Sequence, residues 1–167
     1  QDILLAQTHG AEDDLAFIES MLPFFRDPRY LKLDGKPVLL LYRAELLPDP
    51  QSTSERWRSR CRESGIGEIH LACVESFQRC DPRSFGFDAA VEFPPNLVET
   101  RRVKTRAAFT APDYSGEVLD WRKMATQFRE RPKTAYPLHR GVNPSWDNEA
   151  RRPGRGRTFV YSSPRRY

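Results

Sequence analysis

The stretch Tyr30 to Asp49, YLKLDGKPVLLLYRAELLPD, constrains the fold more than any other part of the chain. An alternating run, Tyr30-Leu31-Lys32-Leu33, leads into Asp34-Gly35, the dipeptide best able to supply the positive φ angles of a tight turn. Pro37 removes a hydrogen-bond donor just where a strand begins. Val38-Leu39-Leu40-Leu41-Tyr42 is apolar throughout, which predicts a strand covered on both faces in a parallel α/β sheet. Arg43 and Glu45 follow at the C-terminal end of that strand, the end at which barrels and open α/β sheets bind ligands. A buried strand with a solvated exit loop is the plainer reading of the same residues.

The rest of the chain alternates between helical and strand patterns. Ile3 to Ala6 reads as a short buried strand. Glu12 to Phe25 reads as a helix, with Leu15, Ile18, Leu22 and Phe25 on one stripe widened by Phe17, Met21 and Phe24. Its first turn carries Glu12, Asp13 and Asp14, where carboxylates favour the helix dipole. Ser52-x-x-Glu55 reads as a capping box opening a second helix that Gly65 stops, with Trp57 and Cys61 as a narrow apolar contact. Strands are expected at Ile69 to Val74, Phe87 to Phe93 and Tyr136 to Val142, and a helix at Gly116 to Glu130 with Val118, Trp121, Ala125 and Phe128 on one stripe. Between them, Asn96 to Ser115 shows no period and carries Arg101, Arg102, Lys104 and Arg106, so a long loop is expected there.

Alternating strands and helices are the pattern of right-handed βαβ units around a parallel sheet. The count reaches about four such strands, roughly half of a closed (β/α)8 barrel, and a barrel needs about 250 residues where this chain has 167. A half barrel would leave open edges and bare apolar surface. The expected fold class is therefore α/β, a partial TIM-like barrel truncated at both ends, with residues 1–167 forming part of a single domain. Opening on Gln1-Asp2 rather than methionine also predicts a start inside a longer protein. The Arg-rich stretch 151–167 is expected to be a solvated, poorly ordered end, with one short apolar run at Thr158 to Tyr161.

Composition narrows the setting. The formal net charge of +4 is mildly basic, and much of the excess arginine sits in that last stretch. Cys61, Cys73 and Cys80 cannot all pair with one another, and no glycosylation sequon occurs, so a reducing cytoplasm is the expected location. No apolar run approaches the ~20 residues of a membrane span. No nucleophile elbow, phosphate-binding glycine loop or dinucleotide fingerprint is present. His9, His70 and His139 are scattered without metal-ligand spacing, and neither a metal nor a cofactor is expected.

Polar groups stand at or just past the predicted strand ends: Arg43 and Glu45, Glu75, Glu92, Arg140, then Trp146 and Asp147. In a parallel sheet these ends share one side, so the groups are expected to converge on one pocket. Acids, arginines and an indole suit a polyhydroxylated ligand: carboxylates accept from sugar hydroxyls, guanidinium donates in a planar fork, and indole stacks on C–H faces. Glu75 and Glu92 form the obvious carboxylate pair for glycoside chemistry, which wants them about 5–5.5 Å apart for retention or 6.5–9.5 Å for inversion. The alternative is that both make structural ion pairs.

Three motifs, FFRDPRYLKLDGKPVLLLYRAELLPD, FGFDAAVEFPP and YPLHRGVNPSWDN, closely resemble WbsX-type proteins with a glycoside hydrolase family 99-like domain. The resemblance runs from about Ala11 to Ser163. It implies a (β/α)8 barrel, related in fold to endo-acting α-mannosidases, in a family described as glycosyltransferases of surface-polysaccharide or lipopolysaccharide O-antigen assembly. Such proteins carry a further Asn-x-Trp-Asn-Glu-Trp-x-Glu-Gly type stretch whose paired glutamates match the hydrolases' catalytic acids. This chain has no Glu-Trp or Glu-Gly dipeptide and ends at Tyr167. The resemblance thus implies that the main catalytic carboxylates lie outside it. Carried over residue by residue, Tyr42, Arg43, Glu92, Arg140, Trp146 and Asp147 are expected to bind sugar or shape the site. The expected partners are a carbohydrate or sugar donor and the remainder of the barrel. A noncatalytic glycan-binding or scaffolding module and a basic nucleic-acid-binding module are the rival readings, the latter weakened by the lack of interleaved aromatics.

Overall fold

The computed structural model describes residues 9–99, 102–103 and 113–165. Its elements, in chain order, are α1 (Ala11–Arg26), β1 (Lys32–Leu33), β2 (Lys36–Leu41), α2 (Pro50–Glu63), β3 (His70–Glu75), β4 (Ala89–Glu92), β5 (Glu117–Asp120), α3 (Trp121–Glu130), β6 (Leu138–His139) and β7 (Arg157–Val160). They fall into two compact units, Gln1–Glu92 with Thr134–Arg140, and Phe93–Lys133 with Gly141–Tyr167. The expected strand Ile3 to Ala6 lies outside the described residues, as do Arg101, Lys104 and Arg106 of the expected loop.

The first unit is an α/β layer. Its sheet has the order β1-β2-β3-β4-β6, with β1 antiparallel to β2 and every other neighbouring pair parallel. Asp34 (φ 48°) and Gly35 (φ 78°) both take positive φ, as the two central residues of a type I′ hairpin turn must. The chain thereby enters β2 in the register Lys32↔Pro37, with Pro37 at the sheet's edge-facing hairpin.

One face of this sheet is covered. Ile18, Leu22 and Phe25 of α1 and Trp57 and Cys61 of α2 pack with Leu39, Leu71, Cys73 and Ala90 from the strands. The other face differs from the expectation of two-sided burial. Leu39 is 8% exposed but Leu40 is 51% exposed and Tyr42 47%. Two helices on one side can screen only the side chains that alternate toward them.

The buried line of α1 also departs from the sequence reading. Asp14 is buried while Leu15, Phe17 and Phe24 are exposed. The reason is polar: the Asp14 carboxylate accepts from Thr53 Oγ1 at 2.9 Å and from Arg56 at 2.6 Å, and the Asp14 carbonyl accepts from the Trp57 indole at 3.0 Å. Those three bonds rotate the helix so that its acid faces α2, and Leu15 turns outward. α2 itself begins at Pro50, not at a Ser52 box. The Asp49 carboxylate accepts from the Ser52 N–H at 3.0 Å and the Ser52 hydroxyl at 2.6 Å, and Pro50 fills the first position, where no donor is needed. Gly65 (φ 78°) ends it as expected.

Between β3 and β4 the chain makes a 3-10 turn, Pro82–Phe85, capped by Asp81 and closed by Gly86 at φ 70°. A Cβ on Gly86 would stand 2.4 Å from Ser54 Oγ. Gly86→Ala is therefore expected to lower stability by about 2 kcal/mol, left-handed strain and the clash together. Chemical denaturation of the full-length protein reads this. A Ser54→Ala background should recover the clash and leave the strain.

The second unit pairs β5 and β7 in parallel over a core of Leu119, Trp121, Met124 and Phe159. The helix expected from Gly116 starts only at Trp121, because the Asp120 carboxylate accepts from the Arg122 N–H at 2.9 Å and caps it there. Glu117 to Asp120 is a strand instead. The remaining strands are shorter or shifted against expectation: Ile69–Val74 becomes His70–Glu75, Phe87–Phe93 becomes Ala89–Glu92 and Tyr136–Val142 becomes Leu138–His139. Within the Arg-rich end, Arg157–Val160 forms β7, and Arg157 pairs with Glu117 at 2.6 Å. Arg102 bonds the same carboxylate at 2.5 Å, and the two cations hold Glu117 below its ordinary range, Arg102 most strongly.

Candidate functional site

Because β2, β3, β4 and β6 run parallel, their C-terminal ends lie along one edge of the first unit's sheet. Tyr42 and Arg43 leave β2 there, Glu75 ends β3, Glu92 ends β4 and Arg140 follows β6. These five expected positions thus reach the same edge, and Glu45 follows in the turn after β2. Trp146 and Asp147 belong to the second unit, beside β7: the Trp146 carbonyl accepts from Phe159 N–H at 2.9 Å, and the Asp147 carboxylate accepts from Glu149 N–H at 2.6 Å.

The edge divides into an open part and a buried part. In the open part, the Arg43 guanidinium bonds Glu45 and lies 4.5 Å from the centre of the Phe77 ring. Tyr42 meets the same ring edge-on, centroids 6.1 Å apart. Tyr42 and Phe77 are exposed at 47% and 61%. Guanidinium donors beside two bare aromatic rings can grip hydroxyls and stack against a sugar's C–H face. Phe77 escaped the sequence reading, since a single phenylalanine in a polar loop carries no periodic signal.

The buried part holds the two carboxylates. Glu75 and Glu92 are register neighbours on β3 and β4, exposed by only 2% and 4%. Alternation puts Glu75 with Leu71 and Cys73, and Glu92 with Ala90, on the helix-covered face. Glu75 accepts from the Tyr136 hydroxyl at 2.8 Å, and Glu92 pairs with Arg140 at 2.8 Å. Burial first, and then the Glu75 carboxylate, pushes the Tyr136 phenol well above its ordinary value, so it stays a donor. Each carboxylate thus has a partner within the first unit.

His70 and His139, scattered in sequence, meet in the structure with Nε2 atoms 3.4 Å apart on the open face. Only parallel pairing through β4 could bring them together, and no spacing rule reveals that. Among the described residues no group of three or more metal-ligating side chains gathers. Burial holds the His70 imidazolium below its ordinary value; Asp88 opposes this, while His139, Lys36 and Arg58 add to it. The unfolded chain then binds the proton first, so stability is full above about pH 6.5 and falls as the pH drops below it. Thermal unfolding across pH 5 to 8 should show that acid-side loss reduced in His70→Gln.

The second unit also has an apolar cleft of about 240 Å³ floored by Trp121, Met124, Ala125 and Phe128. No helix among the described residues is long and apolar enough to cross a membrane.

A mixed α/β layer with donors and aromatic rings gathered at the C-terminal edge of a parallel sheet is a ligand-binding class of architecture. The model of one family, described as glycosyltransferase WbsX, matches residues 1–167, and the chain belongs to that family. It is 54% and 53% identical to WxcX, an uncharacterized protein, from two strains of Xanthomonas campestris pv. campestris. Each match takes in 99% of this chain but 24% of the relative's length. No solved structure matches.

Proposed function

We propose that this region is part of a carbohydrate-active barrel that transfers sugar residues in bacterial surface-polysaccharide assembly, and that the strand-end edge holds the sugar. One observation carries the reading: Tyr42 with Arg43, Glu75, Glu92 and Arg140 end or leave four neighbouring parallel strands at the same end. Sequential strand order without a reversal is what a (β/α)8 barrel requires, and in barrels that end carries the active site. The bare Leu40 and Tyr42 face supports it too, for inside a closed barrel those side chains would be covered. On this reading the relation to the glycoside hydrolase family 99-like fold extends to the whole parent domain. Lipopolysaccharide O-antigen is then the natural product class.

Glu75 and Glu92 are committed to Tyr136 and Arg140, so the acid/base carboxylates come from chain outside this region. Three arginines of the second unit, Arg102, Arg157 and Arg122, are already engaged by Glu117 and Asp120, which weighs against a phosphate-binding role for them. Sugar turnover by the full-length protein tests the proposal. Arg43→Ala should lower it at least ~10-fold, the loss of charge-assisted bonds worth about 1.5–3 kcal/mol, with the melting temperature unchanged. Arg29→Ala, paired locally with Asp27, is the control. Unchanged turnover in Arg43→Ala would count against the site, and glycan binding without turnover in the unaltered protein would select a scaffolding module.

A further inference from the structure

Cys73 and Cys80 carry a property that the sugar-site reading does not use. Their sulfurs lie 2.7 Å apart, closer than van der Waals contact, while both remain thiols. Cys73 sits on β3 and is 1% exposed; Cys80 ends the following loop and is 9% exposed. The residues between them include Glu75 and Phe77, and Phe77 to Arg79 are exposed. We propose that Cys73 and Cys80 are a reversible dithiol/disulfide site, oxidised by small-molecule disulfides, that closes a covalent ring around the β3 exit loop.

Geometry makes closure easy. A disulfide places its sulfurs about 2.05 Å apart, so the pair must move by well under 1 Å. The loop is anchored on both sides, by β3 pairing with β2 and β4 and by the Asp81-capped turn, so neither cysteine is free to drift away. Roles follow from the bond between the thiols. The thiols share one hydrogen bond, which lowers the Cys80 thiol against the opposing effects of burial and of Glu75, Glu45 and Asp81, and which with burial raises Cys73. Cys80, the sulfur nearer solvent, supplies the attacking thiolate. It attacks one sulfur of the incoming disulfide and expels a thiolate, leaving a mixed disulfide. Cys73 then loses its proton to that departing thiolate and attacks the Cys80 sulfur, expelling the second thiolate. Two electrons pass from the protein sulfurs to the small molecule, which leaves as one thiol and one thiolate.

Closure would pin Phe77 beneath Arg43. In a reducing compartment a disulfide of this kind is transient and senses redox state.

Peptide mapping of the full-length protein tests this without reference to sugar turnover. Trypsin cuts after Arg62, Arg79 and Arg83, of which Arg79 lies between the two cysteines, so a disulfide leaves peptide 63–79 joined to peptide 80–83. After reduction, treatment with glutathione disulfide and unreduced digestion, the joined pair should appear, two hydrogens lighter than the separate thiol peptides. Dithiothreitol should abolish it, and Cys61 should remain open to alkylation once the chain is denatured. The same link should form in Cys61→Ser. Full alkylation of both Cys73 and Cys80 after oxidation would overturn the proposal, and so would glutathione retained on Cys80 with Cys73 still free.

Discussion

Trp57→Ala is expected to lower the stability of the full-length protein by about 3–5 kcal/mol. The indole is 3% exposed, lies 5.2 Å from the Phe17 ring and donates to the Asp14 carbonyl at 3.0 Å. Truncation removes the largest side chain at the α1–α2 contact, opens a void that two short helices cannot refill, and removes the indole's bond to the Asp14 carbonyl. The neighbouring polar set makes the loss worse, because the Asp14 carboxylate and Arg56 are held by the same packing. Phe24→Ala supplies the contrast. Phe24 belongs to the same apolar stripe in sequence but is 58% exposed, so its removal should change stability by less than about 0.5 kcal/mol. Urea denaturation midpoints measure both. A Phe24 effect equal to that of Trp57 would mean that α1 is rotated relative to the description above.

Arg140→Ala should cost about 3 kcal/mol, since it takes the guanidinium at 2.8 Å from a carboxylate that is nearly free of solvent. Glu92→Gln should cost less, about 1 kcal/mol. The amide keeps the volume and still accepts a hydrogen bond, while the Arg140 side chain, 47% exposed, can turn to water. The asymmetry follows from which partner is buried. It also separates the two readings of Glu92. A scaffolding carboxylate predicts that Glu92→Gln keeps most of the turnover, whereas a proton-transferring one predicts collapse of turnover without loss of stability. Unfolding midpoints and turnover measured on the same two variants decide between them.

Where local chemistry dictated local shape, the sequence was readable. Asp34-Gly35 announced its turn because only a few residue types tolerate two positive φ angles, and Gly65 announced a helix end for the same reason. Trp57 and Cys61 stood out as the apolar pair on an otherwise polar helix, and both are core residues. Misreadings arose where a polar partner distant in sequence overrode a periodic pattern. Asp14 turned α1 because Thr53 and Arg56 wait on α2, about forty residues away. Val118 and Trp121 fit one helical stripe, yet Asp120 caps between them and β7 draws Glu117 to Asp120 into a strand. At the edge, strand polarity brought Arg43, Glu75, Glu92 and Arg140 together as the alternating pattern implied. Their division into an open aromatic part and a buried ionic part depends on which face each strand residue takes, and the uniformly apolar β2 run leaves that undetermined. The meetings of His70 with His139 and of Cys73 with Cys80 are products of topology and of a loop's path, neither of which has a sequence period.

The most direct measurement is a crystal structure of the full-length protein with its glycan bound. The account predicts sugar oxygens within about 3 Å of the Arg43 guanidinium, a sugar face against Tyr42 or Phe77, and Leu40 enclosed by further parallel strands. A glycan seated elsewhere, with Leu40 open to solvent and the strand-end edge empty, would contradict it.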